Sequence, residues 1–161
     1  MRTVQNTGKI TRAMEMVAAV KMRRAQTAVL AARPYAEKMA DLLSNLAGMP
    51  QDDEPNPLLQ TRPIEQVTLV HITPDRGLCG ALPGSLNRQA GNFILDEQFG
   101  TPVRVVTVGR KGRDFMVRYE RDVQAVFDGI SDKPGLEDIA PMARLIRDSF
   151  IAGGNPPFLD C

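Results

Sequence analysis

The chain opens on an apolar stripe at helical spacing. Met14, Ala18, Met22, Ala25, Val29, Ala32, Ala36, Met39, Leu43 and Leu46 follow one another in nine steps of three or four, a mean of about 3.6. That value lies between the heptad repeat of a coiled coil and a straight helix, and it predicts one long helix over residues 1–46. Pro34 falls inside the pattern; its missing N–H and its clash with the preceding turn predict a bend at Arg33 and Pro34. From Ile10 to Leu46 such a helix runs on the order of 55 Å at 1.5 Å per residue. A domain of about 100 residues, with a radius of gyration near 13 Å, cannot cover that length, so much of the helix is expected to project.

The pattern then changes period. Residues 47–63 (AGMPQDDEPNPLLQTRP) hold four prolines and the acidic triplet Asp52 to Glu54, and read as a linker. Beyond them, Val67 to Thr73 and Val103 to Val108 are β-branched apolar runs, and Val123 to Phe127 is a weaker third. Helical spacing returns between the strands: Leu82, Leu86, Ala90 and Phe93 share one face, a second helix covers about residues 111–120, and Leu136, Ile139, Ala143, Ile146 and Phe150 mark a third. Pro141 places the regular start of that last helix near itself. Strands alternating with helices imply a small Rossmann-like parallel sheet over residues 64–152. The fold class expected is α/β: a long N-terminal coiled-coil helix, then a parallel β-sheet domain with flanking helices. The stretch at 153–161 is an atypical tail, which leaves a sheet of three strands with an unpaired edge.

Charge sharpens the division. Residues 1–38 carry eight basic side chains against Glu15 and Glu37, a net of +6, which leaves −5 for the rest of a chain whose net charge is +1. Lys21, Arg23 and Arg24 form the densest basic cluster. Two cysteines, Cys79 and Cys161, are too few for a disulfide framework and favour a reducing compartment. No run approaches the roughly 20 apolar residues of a membrane span, and no signal-like segment opens the chain.

Two Gly-rich loops are the candidates for ligand chemistry. TPDRGLCGALPGS (Thr73 to Ser85) follows the first strand, where backbone N–H groups can face a phosphate. Gly77, Gly80 and Gly84 nevertheless fit neither the dinucleotide fingerprint nor a P-loop, and a tight turn or partner contact is favoured. GRKGRD (Gly109 to Asp114) follows the second strand; it is basic enough to hold an anion, but a solvated turn into a helix is the more ordinary reading. His71, the only histidine, sits in an apolar strand pattern and reads as a core residue. Cys79 beside Arg76 reads as a small buried thiol rather than a nucleophile. No cofactor, metal site or catalytic constellation is expected.

The helix itself is then the functional feature. AMEMVAAV followed by KMRRAQ can be covered by a membrane surface, by nucleic acid or by protein. A surface-bound helix carries its basic residues along one face with bulky apolar anchors, whereas here they cluster along the axis and Ala and Met dominate. A nucleic-acid binder needs a groove-reading module or interleaved aromatics, and no aromatic precedes Tyr35. Protein fits: Met and Ala give an adaptable apolar surface.

NTGKITRAMEMVAAVKMRRAQ (Asn6 to Gln26) and RPYAEKM (Arg33 to Met39) closely resemble the N-terminal helix of the gamma chain of F-type ATP synthases. DRGLCGAL (Asp75 to Leu82) and GRKGRDF (Gly109 to Phe115) agree with the same family, each after a strand. The resemblance covers about residues 4–152. It implies the central-stalk rotor, whose N-terminal helix pairs with a C-terminal helix in an antiparallel coiled coil and turns inside the ring of alpha and beta subunits. The α/β domain would stand beside the epsilon subunit and the membrane c-ring. By that resemblance Met14, Ala18, Met22, Ala25 and Val29 form the coiled-coil seam, and Met14 and Val17 contact the collar. Lys21, Arg23 and Arg24 face acidic beta-subunit loops, while Asp75, Arg76, Gly77, Cys79, Gly80, Gly109, Arg110, Lys111 and Gly112 are the family's loop motifs. Catalysis would belong to alpha and beta. The location implied is the cytoplasmic face of a bacterial plasma membrane, reached only through the complex, with no nucleic-acid partner. Val20, Ala81 and Pro83 depart from the usual pattern; the expected fourth strand and long C-terminal helix are not recognisable, which suggests a fragment or truncated product. The alternative from another class is a free-standing anion- or nucleotide-binding α/β module with a basic docking helix.

Overall fold

The computed structural model describes residues 2–48, 56–60, 63–96, 100–154 and 159–160. The chain divides into two compact units, Met1–Glu54 and Pro55–Cys161.

The first unit is a single helix, α1 (Arg2–Ala47), of 46 residues, about 69 Å long at 1.5 Å per residue. It runs through Pro34 without interruption, although the proline ring removes the N–H that would bond to the Leu30 carbonyl. Gly48 ends it by donating its N–H to the Ser44 and Asn45 carbonyls. The Thr7, Thr11 and Thr27 hydroxyls donate to the carbonyls four residues back, which turns three polar groups into part of the backbone ladder. Every described side chain from Thr3 to Leu46 is exposed.

In the second unit, residues 56–60 form a turn in which the Asn56 side chain accepts the Leu58 N–H at 3.0 Å. The acidic triplet of the expected linker lies outside the described residues. Then follow β1 (Val67–Ile72), α2 (Leu82–Leu95), β2 (Val103–Val108), α3 (Arg110–Arg118), β3 (Val123–Phe127), α4 (Leu136–Ser149), a π-helical turn (Phe150–Gly154) and β4 (Leu159–Asp160). The sheet is parallel in the order β3-β2-β1-β4. β1 and β2 pair in register from Val67↔Val103 to Ile72↔Val108, and β2 to β3 slips once between Val105 and Val106.

Burial follows strand position. β1, flanked on both sides, is buried at every residue but Ile72; the edge strand β3 alternates, with Val123, Ala125 and Phe127 half-buried and Gln124 and Val126 exposed. Leu69, Val105, Ala90 and Met116 form the fully buried centre, with Phe93, Ile94, Val103, Phe115 and Val123 packed around it. Both crossover helices therefore cover the sheet face that carries Leu69 and Val105. Burial of a side chain such as Leu69 contributes about 1.5–3 kcal/mol.

On α2, Ala90 and Phe93 join the core while Leu82, in the first turn, is half exposed. Two expectations are corrected. α4 begins at Leu136, five residues before Pro141. Its first turn is nucleated by Asp138, whose carboxylate accepts the Gly135 N–H at 2.8 Å while its own N–H donates to the Gly135 carbonyl. That cap holds the turn, so the proline removes one ladder bond instead of setting the start. Finally, the edge of β1 is not bare. Leu159 and Asp160 pair beside Leu69 and Val70, satisfying part of a backbone edge that burial would otherwise leave without partners.

Candidate functional site

Two regions collect the candidate residues. On α1, successive residues turn by about 100°, so Met14, Ala18, Met22, Ala25 and Val29 fall within an arc of about 80°. Lys21 borders that arc, Arg24 lies further to the same side, and Arg23 lies opposite. Between Ala13 and Val20 only Glu15 is charged or polar, which leaves the segment apolar almost all round. Yet Met14, Met16, Val17 and Val20 are each more than half exposed. A helix apolar on every side is one that other surfaces enclose.

A hollow is lined by Ile10, Ala13, Met14, Val17, Ala18 and Lys21. Ile10, Ala13, Met14 and Val17 stand at i, i+3, i+4 and i+7, the corners of a hole that accepts one knob from a facing helix; Met14, Val17, Ala18 and Lys21 repeat the set one turn on. Nearer the N-terminus, Val4, Thr7, Gly8 and Thr11 make a third such set within a second hollow.

The other region is the carboxyl edge of the sheet, where DRGLCGAL and GRKGRDF meet. α3 starts at Arg110, and a helix start leaves N–H groups without partners inside the helix. Here each is taken internally. Arg110 donates to Asp75 Oδ1 at 2.9 Å, Lys111 to the Pro74 carbonyl at 3.3 Å, Gly112 to Thr73 Oγ1 at 2.7 Å and Arg113 to the Gly109 carbonyl at 3.3 Å. Thr73 Oγ1 in turn donates to the Val108 carbonyl. At the start of α2, Leu82 donates to the Cys79 carbonyl, Ser85 to the Ala81 carbonyl, and Pro83 has no N–H to give. At the start of α3 the donors that a phosphate would need are already taken, so the geometry there does not favour the anion- or nucleotide-binding alternative.

The glycines of GRKG serve packing. Gly109 has φ +95, and a Cβ there would lie on the Thr73 carbonyl; at Gly112 a Cβ would stand 2.6 Å from His71 Cδ2 and 2.9 Å from Thr73 Oγ1. His71 is buried, as its strand context suggests, and its Nε2 bonds to Asn87 Oδ1 at 2.8 Å. In the first loop Gly80 takes φ +59, while Gly77 and Arg76 lend their carbonyls to the half-buried Cys79 thiol, at 3.4 and 2.9 Å. Leu78 between them has φ +64 and is 93% exposed.

Charges link the second loop to the end of β3. Arg113 contacts Asp128 at 2.6 Å and Asp114 at 2.8 Å, and Arg110 approaches Asp128 at 3.9 Å. The hydrogen bond that the guanidinium donates to Asp114, then the negative charges of Asp114, Asp128 and Asp75, raise the Arg113 pKa above its ordinary value. Sequence reasoning missed Asn87, Asp128 and Gly129 as members of this corner, while Thr73 and Arg113 lie within the two loops that it marks. Only Asp128-Gly129, a turn-forming pair, left a local signal. Among the described residues there is no group of three or more His, Cys, Asp or Glu side chains able to hold a metal, and no helix long and apolar enough to cross a membrane.

A family model described as ATP synthase matches residues 1–156. The ATP synthase gamma chain of Dehalococcoides mccartyi is 47% identical over 154 residues, covering 95% of this chain and 53% of that protein. The gamma chain of Herpetosiphon aurantiacus is 47% identical over 160 residues, with coverage of 96% and 54%, and that of Roseiflexus sp. is 45% identical over 155 residues, with 95% and 53%. The chain thus spans about half the length of the curated relatives it matches. In a cryo-EM structure of the Tetrahymena thermophila mitochondrial ATP synthase central stalk and c-ring, one chain has the same fold, with a TM-score of 0.66 at 24% identity over 87% of this chain and 59% of that one. A long apolar helix, a small parallel sheet and a family match over nearly every residue lead to one conclusion: this chain belongs to the gamma-chain family of ATP synthases.

Proposed function

We propose that this chain serves in the central-stalk rotor of a proton-translocating F-type ATP synthase, transmitting torque between a membrane c-ring and a catalytic ring of alpha and beta subunits. The observation that carries the reading is α1, apolar almost all round from Ala13 to Val20 yet exposed along its whole described length. One face, with its knob-accepting hollows, suits a partner helix; the others suit a surrounding collar. Lys21, Arg23 and Arg24 sit just beyond the apolar segment, where they would meet acidic loops of the beta subunits. The role is non-catalytic. Epsilon and the c-ring would adjoin the α/β unit, and the complex would hold the chain at the cytoplasmic face of a bacterial plasma membrane.

The test uses the chain extended with the C-terminal half of a curated relative and assembled with the remaining subunits. Replacing Lys21, Arg23 and Arg24 together with Glu is expected to weaken ATP-driven proton pumping, with an effect that shrinks as salt rises, since exposed charge attractions are screened. Full pumping by the triple variant would count against the reading. Titrating ATP into the unmodified chain while following the amides of Gly77 and Gly109 should give no saturable shift; a saturable one would revive the nucleotide-binding alternative.

A further inference from the structure

Asp75 holds together parts of the chain that nothing local connects. It stands in the loop after β1. Its Oδ1 accepts the Arg110 N–H at 2.9 Å from the loop after β2, and its Oδ2 accepts the Gly129 N–H at 3.0 Å from the loop after β3. These partners lie 35 and 54 residues away in sequence. One carboxylate therefore joins the carboxyl ends of all three long strands.

We propose that Asp75 is a positioning residue that locks the three loops into one unit. The chemistry demands a carboxylate. Two N–H groups converge from different loops, and only a side chain with two acceptor oxygens satisfies both; an amide would turn its own NH2 toward one of them. The surrounding contacts close the same corner. Gly109 donates to the Phe127 carbonyl at 2.8 Å, Thr73 donates to the Val108 carbonyl at 2.7 Å, and Arg113 reaches Asp128 at 2.6 Å. What the lock presents is the loop that follows it. Arg76 to Gly80 begins at the very next residue, is braced by the Cys79 thiol, and carries Leu78 outward in a left-handed conformation. A leucine at φ +64 costs free energy unless its surroundings hold it there, and this one is 93% exposed. The inference concerns the α/β unit alone and stands whether or not the rotor reading survives.

Amide hydrogen exchange on the 161-residue chain tests it, with Arg110 and Gly129 as reporters. In the unmodified chain both amides should exchange slowly. In Asp75→Ala both should speed up together by about five- to tenfold, the change expected for loss of one hydrogen bond at each. In Asp75→Asn, which keeps one acceptor, one amide should stay protected and the other should not. Formate, which replaces the missing carboxylate, should slow both amides again in Asp75→Ala and change neither in the unmodified chain, with chloride at equal ionic strength as the control. The inference is overturned if the two amides respond independently in Asp75→Ala, or if Asp75→Asn protects both as well as aspartate does. It is equally overturned if formate acts no differently from chloride. Should Asp75→Ala fail to fold, the split response of Asp75→Asn still decides the matter.

Discussion

Gly112→Ala places two effects of known size in opposition. Gly112 is the third residue of α3, and alanine in a helix is ordinarily better than glycine by about 0.5–1 kcal/mol. The added methyl has no room here. It would stand 2.6 Å from the ring of His71, 2.9 Å from Thr73 Oγ1 and 3.0 Å from Thr73 Cγ2. His71 is 1% exposed and hydrogen-bonded to Asn87, and Thr73 accepts the N–H of Gly112 itself, so neither neighbour can retreat without breaking a bond. Overpacking costs about 1–3 kcal/mol, and a weakened buried hydrogen bond adds about 1 kcal/mol. Net destabilisation should be about 1–3 kcal/mol after the propensity gain is subtracted. Gly91→Ala is the control. It makes the same substitution in α2, where the methyl would meet only the Phe115 ring at 3.7 Å, and it should stabilise by about 0.5–1 kcal/mol. Urea unfolding, followed through amide signals of β1 and β2 so that α1 does not contribute, gives both values from shifts in midpoint at constant slope. If Gly112→Ala proves as stable as Gly91→Ala, the close approach of α3 to β1 is not what the glycine is for.

Ala18→Trp, in the chain extended by a relative's C-terminal half, should cost about 1–3 kcal/mol by overfilling the hollow it floors; an unchanged melting temperature of the assembled shaft would reject the seam. Arg113→Ala and Asp128→Ala, taken singly and together, should show a favourable coupling that declines with added salt, because both side chains are about one-third exposed; zero coupling at low salt would mean the contact contributes nothing. The chain alone should self-associate through the stripe of α1, since an apolar helix gains most of its stability from a packed face. Light scattering from a monodisperse monomer whose α1 amides resist exchange would refute that.

What could be read in the sequence was whatever repeats locally. The stripe from Met14 to Leu46 announced α1, and three β-branched runs announced β1, β2 and β3 at the observed bounds to within a residue. Boundaries failed where a short-range contact outweighed a residue preference: the Asp138 cap started α4 ahead of Pro141, and backbone pairing drew Leu159 and Asp160 to β1 despite a segment without strand character. Their signals were a single carboxylate and a pair of residues, too small to shift a periodicity.

At the carboxyl edge of the sheet the sequence favoured turns over a ligand site but left their partners unread, for a different reason. A glycine-rich turn before a helix reveals in sequence how many backbone donors it could offer. It does not reveal which are already taken. At the start of α3 the acceptors are Thr73, Pro74 and Asp75, the first and last of them bonding partners 39 and 35 residues away in the chain, and no window of helical or strand length contains both sides of such a bond. DRGLCGAL and GRKGRDF therefore appear in sequence as two separate turns. Brought together by the β1–β2 pairing, the start of α3 donates and residues 73–75 accept. α1 differs: the acceptors and apolar contacts that close the α/β unit come from within that unit, whereas the described side chains of α1 from Thr3 to Leu46 are exposed.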